Sequence, residues 1–161
     1  MDDFLTILIR LAIVGAMVIG GSLFAFSTFI MAALKRMPDA EGIRAMQQIN
    51  KTVFTPWFMG PFFGTAMLSI GGVVFALMNM DQSWWRQLFG AGLLYAVGLF
   101  LVTVIGNVPL NEKLARMGAD ESETAQFWQG YLVVWTRWNH VRSLASIGSV
   151  LLYAETLRLM S

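Results

Sequence analysis

The sequence predicts an all-α integral membrane protein: a four-helix bundle in a single transmembrane domain over residues 1–161. Composition is the first reason, because 57% of the 161 residues are hydrophobic and only 13% are charged. A soluble domain of this length needs far more charge to solvate its surface. Length is the second reason, because four apolar segments reach the roughly 20 residues that cross about 30 Å of hydrocarbon.

The four apolar segments follow one another along the chain. We place them at about 4–34, 56–80, 88–108 and 140–160, with Pro56 suited to the first turn of its helix. In hydrocarbon every backbone amide must be paired internally, so these segments are helices even where Val and Ile are frequent. Small residues spaced four apart predict close helix contacts, which we interpret as packing within the bundle in preference to a dimerisation face. They are Ala12, Ala16, Gly20, Gly21, Ala25, Gly60 and Gly64.

The two long connections carry most of the basic residues. These are Lys35, Arg36, Arg44 and Lys51 in the first, and Lys113, Arg116 and Arg137 in the third. Basic loops stay on the cytoplasmic side, so we predict that both connections face the cytoplasm and both termini lie outside it. The location expected for such a protein is the bacterial inner membrane.

Each long connection is expected to contain a short amphipathic helix at the membrane surface. In the first, Ile43, Met46 and Val53 recur at helical spacing after Pro38. In the third, a turn at 117–120 precedes a helical stretch that runs on into the last span. That stretch carries Phe127, Tyr131, Trp135 and Trp138 on one stripe.

Composition also excludes several classes of function. The net charge is +1 and no basic patch is interleaved with aromatics, so nucleic acid is not an expected partner. There is no cysteine, which excludes a thiolate metal site and a dithiol redox mechanism. A single histidine with few acids near it falls short of a closed metal site, and no spacing demands haem. We therefore predict neither a metal nor a cofactor.

Polar residues gather at the cytoplasmic ends of the predicted spans, which the antiparallel topology brings into one layer. Buried amides and cations are costly without partners, so such a cluster indicates a satisfied network or a functional site. Its members are Asn50, Asn107, Asn111, Trp135, Arg137, Trp138, Asn139, His140, Arg142 and Ser143.

Within this layer His140 is the one side chain that titrates near neutrality, which makes it a candidate base. A structural histidine that bonds a backbone carbonyl is the alternative. Arg142, the deeper of two flanking cations, is a candidate oxyanion partner, whereas Arg137 fits an interfacial anchor better. Trp135 and Trp138 suit either a flat ligand or an interfacial aromatic belt.

Two further polar sets have structural interpretations. Pro109 frees backbone carbonyls near the end of the third span, and Asn107 and Asn111 can donate to them or face His140. Near the other membrane face, Arg10 and Glu155 lie at similar depth, so we expect a structural ion pair between the first and last helices.

Four blocks of sequence stand out: FSTFIMAALKR at 26–36, EGIRAMQQIN at 41–50, GNVPLNEKLA at 106–115 and WTRWNHVRSLAS at 135–146. Together they resemble the anthrone oxygenase-like family of small four-helix membrane proteins, and the last two blocks are the most specific. The resemblance implies an oxygenase that needs no cofactor, uses O₂ as co-substrate and acts on a flat, apolar phenolic molecule such as an anthrone.

Such chemistry needs a base, oxyanion donors and a dry aromatic pocket. The roles we expect are His140 as base, Arg142 and Asn107 as oxyanion stabilisers, and Asn111, Asn139, Trp135, Trp138, Arg137 and Asn50 as substrate-binding residues. Two other functions remain open: a membrane protein that binds or transports a lipid-like or quinone-like ligand, and an accessory subunit without catalysis. The partners expected are the bilayer and a hydrophobic aromatic small molecule, and the sequence leaves homo-oligomerisation open.

Overall fold

The computed structural model describes residues 2–161, with the backbone alone for Asp2, and this part of the chain is all-helical. We number five continuous helices in chain order. Helix α1 consists of Asp2–Ala25, a π-helical turn at Phe26–Ile30 and a final stretch at Met31–Lys35. Helices α2, α3 and α5 are Asp39–Thr52, Pro56–Met78 and Ser122–Met160. Helix α4 begins with Trp85–Leu93, is π-helical at Leu94–Leu101 and Thr103–Asn107, and ends with Val108–Ala115.

Three of these helices are long and apolar enough to cross a membrane. They cover Asp3–Lys35, Pro56–Met78 and Trp85–Ala115, and so contain the first three segments predicted from the sequence, apart from the last two residues of the second. Their outward faces are lined by large exposed apolar side chains such as Met17, Met67 and Ile105. Faces of this kind suit lipid, because lipid tails solvate them as well as a protein core would.

The fourth predicted segment lies in the second half of α5 and is less apolar overall. Its inward face carries Ser146 and Ser149, both buried, whereas Leu144, Ile147 and Leu151 are exposed on the other side. At 39 residues α5 is about 58 Å long, well beyond the hydrocarbon thickness. Its first half extends beyond that thickness, and Trp128 and Tyr131 there are buried against other segments of the protein.

Helix α2 is docked on the ends of α4 and α5. Ile43 and Met46 are fully buried and share a hydrophobic cluster with Leu114 and Trp128. Gln47 donates from Nε2 to the carbonyl oxygens of Leu114, at 2.8 Å, and Met117, at 3.0 Å. Carbonyls at a helix end lack partners within the helix, so Gln47 caps the end of α4.

Helix α4 continues through Pro109, where the sequence predicted that the third span closes at about residue 108. Proline has no N–H and its ring collides with the carbonyl four residues earlier, so an ordinary α-helical turn does not fit there. The preceding turn, Thr103–Asn107, is π-helical. A π-helical turn changes the hydrogen-bond register, which lets the helix continue to Ala115.

Small residues bring the long helices close together, as the sequence predicted, but only some of the predicted positions do so. A Cβ on Gly20 would collide with Ser146 Oγ, and one on Gly15 would collide with Thr65 Oγ1. Ala12 and Ala16 are buried on the same helix. By contrast, the positions of Gly21, Gly60 and Gly64 open onto free space, so these three do not mediate contacts within the chain.

The predicted ion pair between Arg10 and Glu155 is wrong. Glu155 is bound instead by Arg158, whose Nη2 lies 2.6 Å from Glu155 Oε1. The two residues are three apart on α5 and therefore neighbours on one helical face, which makes the local pair the simpler arrangement. Arg10 is exposed, and among residues 2–161 it enters no ion pair.

Candidate functional site

Arg142 is the centre of a buried polar cluster between α1, α4 and α5. Its side chain lies inside the protein, with the residue 5% exposed. Nη2 donates to Asn139 Oδ1 at 2.7 Å, and Nη1 donates to Thr103 Oγ1 at 3.3 Å. The guanidinium carbon lies 5.2 Å from the centre of the Trp135 ring. The partners described for this cation are therefore neutral, and none of the ion pairs found in residues 2–161 includes it.

Asn139 connects this cation to α1. While its Oδ1 accepts from Arg142, its Nδ2 donates to the carbonyl of Leu23 and to Ser27 Oγ, both at 2.7 Å. Ser143 donates to the carbonyl of Asn139 and lies 3.2 Å from Ser27 Oγ. Leu23 precedes the π-helical turn of α1 and Ser27 lies within it, so an irregular stretch of α1 borders the cluster beside Asn139. Irregular turns of this kind are frequent at functional sites.

Asn111 organises the aromatic side of the cluster. Its Oδ1 accepts from Tyr131 Oη at 2.7 Å and from Trp135 Nε1 at 2.8 Å, and so fixes both rings. Burial raises the pKa of the Tyr131 phenol above its usual value, while the neighbouring Asn50 amide acts in the opposite direction. The phenol is therefore protonated at neutral pH and serves as a hydrogen-bond donor.

Three buried polar atoms around this cluster have no hydrogen-bond partner. They are Arg142 Nε, Asn107 Oδ1 and Asn50 Nδ2. Asn107 is otherwise held by one bond, from Nδ2 to the carbonyl of Trp135 at 3.1 Å. Buried polar groups in proteins are nearly always paired, so several unpaired atoms in one cluster indicate a place where a ligand or water completes the bonding.

His140 lies apart from this cluster. It is exposed, whereas Asn139 and Arg142 on the same helix are buried. At about 100° per residue, His140 and Arg142 point in directions about 160° apart around α5. The two side chains that the sequence placed together therefore face opposite sides of the helix.

The outer members of the predicted layer have simpler positions. Arg137 is exposed at the end of the apolar part of α5. Trp138 is 38% exposed and packs on Gly106, where a Cβ would lie 2.8 Å from its ring. Trp135 is buried, and its ring packs 5.5 Å from that of Phe26. Of the two tryptophans, Trp135 alone contacts the cation.

Sequence reasoning missed Ser27, Thr103 and Tyr131 as members of the site. Each contacts a predicted residue: Ser27 accepts from Asn139, Thr103 accepts from Arg142 and Tyr131 donates to Asn111. The available signal was the hydroxyl of Ser27 and of Thr103 inside otherwise apolar segments. Hydroxyls are common in membrane helices, where they bond their own backbone, so this signal alone is weak.

Comparison with known protein families identifies the chain. Residues 51–152, well over half of its length, match the family model described as anthrone oxygenase. The chain belongs to the anthrone oxygenase family. No curated protein and no solved structure matches it.

The match to the anthrone oxygenase family covers α3, α4 and most of α5. It therefore includes Asn107, Asn111, Trp135, Asn139 and Arg142, which are the core of the cluster. The α1 side of the cluster, with its π-helical turn, lies outside the matched residues.

Proposed function

We propose that this protein is a membrane oxygenase that oxidises a flat, apolar phenolic substrate of the anthrone class with O₂ and without a cofactor. One observation carries the proposal: Arg142 is buried without a carboxylate partner and lies against the Trp135 ring. An unpaired cation in a low-dielectric interior is costly, and an anionic ligand is what balances it. A flat ligand whose oxygen binds Arg142 would lie beside the Trp135 ring.

The proposed reaction is balanced by the substrate and O₂ alone. The methylene carbon opposite the carbonyl of an anthrone loses a proton, which gives an electron-rich enolate. The enolate passes one electron to O₂, and the radical and superoxide combine, with a proton, to a hydroperoxide. Loss of water then leaves a second carbonyl, so that R₂CH₂ and O₂ give R₂CO and H₂O.

The buried cluster supplies the electrostatic part of this chemistry. Arg142 would hold the enolate oxygen, and Arg142 Nε is a buried donor without a partner. Asn107 Oδ1, also unpaired, is an acceptor for a phenolic hydroxyl on the same substrate. Asn111 and Asn139 hold Trp135 and Arg142 in place. Fixed donors aimed at a developing oxyanion are among the largest contributions to enzymatic rates.

His140 remains our proposed base, but it faces the other side of α5, so it would take the proton through water and not by direct contact with a substrate at Arg142. Neither an imidazole nor a carboxylate is among the groups bonded to Arg142, Asn107 or Asn139 in the described residues. A base on the far face has a measurable consequence. If His140 removes the proton, His140→Ala loses turnover near pH 7 and regains it at higher pH, where the carbon acid ionises unaided.

The position of His140 also favours a second candidate function. A cation and unpaired amides without an adjacent base suit a protein that binds a quinone-like or phenolic ligand and does not transform it. Such a protein would bind an anthrone and its quinone product with similar affinity and would consume no O₂. The Arg142 cluster has the same role in both proposals, so Arg142→Met weakens binding in either case.

The experiment that separates the two proposals is oxygen uptake by the purified protein with an anthrone. We expect uptake above the spontaneous rate, unaffected by a chelator, with one atom of ¹⁸O₂ found in the new carbonyl. Arg142→Met should reduce the rate, and Arg36→Gln is the matched control, because it removes an exposed cation outside the cluster. Binding without uptake would refute the oxygenase and support the ligand-binding protein.

We also propose the finer topology, in which the protein has four spans and the fourth is the 140–160 part of α5. The connections that contain α2 and the start of α5 lie in the cytoplasm, and both termini lie outside it. The basic residues of those connections support this orientation. The chain has no cysteine, so single cysteines report cleanly. Ser161→Cys should react with an impermeant maleimide in intact cells, and Gln48→Cys only after permeabilisation. The reverse labelling pattern would refute the orientation.

A further inference from the structure

Two grooves open on the outer surface between α1 and α5. The first, of about 360 Å³, lies at the end of α1 and includes Lys35, Met31 and Ser27 on one wall and Leu132 and Arg137 on the other. The second, of about 270 Å³, lies further along the same two helices. Its walls include Gly20, Gly21 and Phe24 on α1 and Ser146 and Leu151 on α5.

The two grooves follow one seam of the protein. On α1 their linings are separated by only two residues, Phe24 and Ser27 being three apart. On α5, Val133 of the first groove and Leu151 of the second each point in a direction within about 20° of that of His140, at about 100° per residue. His140 therefore occupies the strip of α5 between the grooves, which we call together the α1/α5 furrow.

The depth of the furrow matches one leaflet of a bilayer. Lys35 is the last residue of the first helix that is apolar enough to span a membrane, so it lies at a membrane surface. From Lys35 to Gly20 the helix rises about 22 Å. Half of a bilayer, including its headgroup region, is about the same thickness. The second groove therefore lies near the middle of the bilayer.

Charge is confined to the surface end of the furrow. Lys35 and Arg137 line the first groove, and neither belongs to an ion pair among residues 2–161. One acid lies at the rim, where Asp39 accepts from Gln129 Nε2 at 3.0 Å. The second groove is walled almost entirely by apolar side chains. A cationic end at the surface and an apolar run to the midplane are complementary to one anionic amphiphile.

We propose that the α1/α5 furrow is a binding site for a single anionic phospholipid. Lys35 and Arg137 hold its phosphate at the membrane surface, and an acyl chain lies along the furrow to Gly21. Basic side chains at this level attract anionic headgroups. The lipid also covers the strip that carries His140 and the hydroxyl of Ser27, which bonds Asn139 of the buried cluster. This proposal does not depend on the oxygenase proposal, because lipid binding is measured without substrate.

Titration of detergent-purified protein with phosphatidylglycerol or phosphatidylcholine, followed by native mass spectrometry, tests the headgroup end. Wild type should retain phosphatidylglycerol preferentially. Lys35→Gln with Arg137→Gln should weaken that retention about fivefold per cation, or about thirtyfold together. Arg36→Gln with Lys51→Gln is the matched control, because it removes two exposed cations outside the furrow.

The tail end is tested by filling the furrow. A Cβ on Gly21 meets no atom within 4 Å, and the same is true of Gly64 on α3, away from the furrow. Gly21→Leu should reduce lipid retention, and Gly64→Leu should not. Equal retention of the two lipids by wild type, or equal losses in the two double variants, would overturn the proposal. If Gly21→Leu impairs anthrone binding while lipid retention is unchanged, the furrow is a route for substrate and the lipid site is refuted.

Discussion

Replacing Arg142 with Met removes the buried charge while keeping an unbranched side chain of similar length. The structure defines what is lost. Two hydrogen bonds from the guanidinium disappear, to Asn139 Oδ1 and Thr103 Oγ1, together with the contact to the Trp135 ring. Hydrogen bonds to charged groups contribute about 1.5–3 kcal/mol each, and the cation–π contact about 0.5–2 kcal/mol. The interactions lost therefore amount to about 3.5–8 kcal/mol.

The same substitution removes the desolvation penalty of the cation. Burial of an ion costs several kcal/mol after relaxation, and no carboxylate offsets it in the described residues. Apolar replacements of buried charges are accordingly often neutral in stability. Because the two contributions are similar in size, we expect Arg142→Met to change the free energy of unfolding by no more than about 2 kcal/mol.

Activity should respond far more strongly than stability. Loss of a main oxyanion donor costs about 10²–10³ in kcat, or about 2.7–4 kcal/mol. The assay is O₂ uptake with an anthrone, run beside thermal unfolding in the same detergent. A variant that is folded and slowed at least a hundredfold supports the oxyanion role. Retained turnover would refute it, and an activity loss that only tracks unfolding would show that Arg142 is structural.

Two further predictions concern the surroundings of this cation. Gly106→Ala should lower the unfolding temperature, because the new Cβ would lie 2.8 Å from the Trp138 ring and overpacking costs about 1–3 kcal/mol. Gly64→Ala should raise the unfolding temperature slightly, because its Cβ meets open space and alanine favours a helix more than glycine does. Tyr131→Phe should destabilise by about 1 kcal/mol through loss of the bond to Asn111. Burial raises the pKa of Tyr131, so the extra stability of wild type over Tyr131→Phe is fully present below about pH 10 and shrinks at higher pH. A stability difference between the two proteins, measured by chemical denaturation, that stays constant with pH would contradict this.

The sequence was sufficient for the long apolar helices and for the layer in which polar residues meet. Hydropathy and length placed the first two apolar helices within two residues of their observed bounds, and the start of the third within three, since hydrocarbon thickness leaves little choice. The third helix continues seven residues beyond its predicted end, to Ala115. The layer followed from antiparallel topology, and it correctly brought Asn107 on α4 together with Trp135 on α5. Arg142 also lies in that layer, as its position deeper in the predicted last span than Arg137 suggested.

Rotation about the helix axis was the information that the sequence lacked. His140 and Arg142 are two residues apart, and which of them faces inward depends on how α5 packs, with Ser146 and Ser149 on its inner side. An even distribution of apolar residues around α5 gives no preferred face. The π-helical turn before Pro109 likewise depends on contacts that the sequence does not show. The pair of Glu155 with Arg158, three residues further along α5, is by contrast one that helical spacing favours and that the sequence could have predicted.

Elsewhere in the protein, helices are joined without a buried cation. Nearer the other end, neutral groups make the cross-helix bonds: Ser146 to the carbonyl of Ala16 and Ser149 to that of Ala91, each at 2.8 Å. A serine or asparagine at position 142 would join helices in the same way at a much lower desolvation cost. The full charge of Arg142 is therefore explained better by a ligand than by helix packing. The free energy of unfolding of Arg142→Met tests this directly, because a cation kept only for packing would leave the variant destabilised.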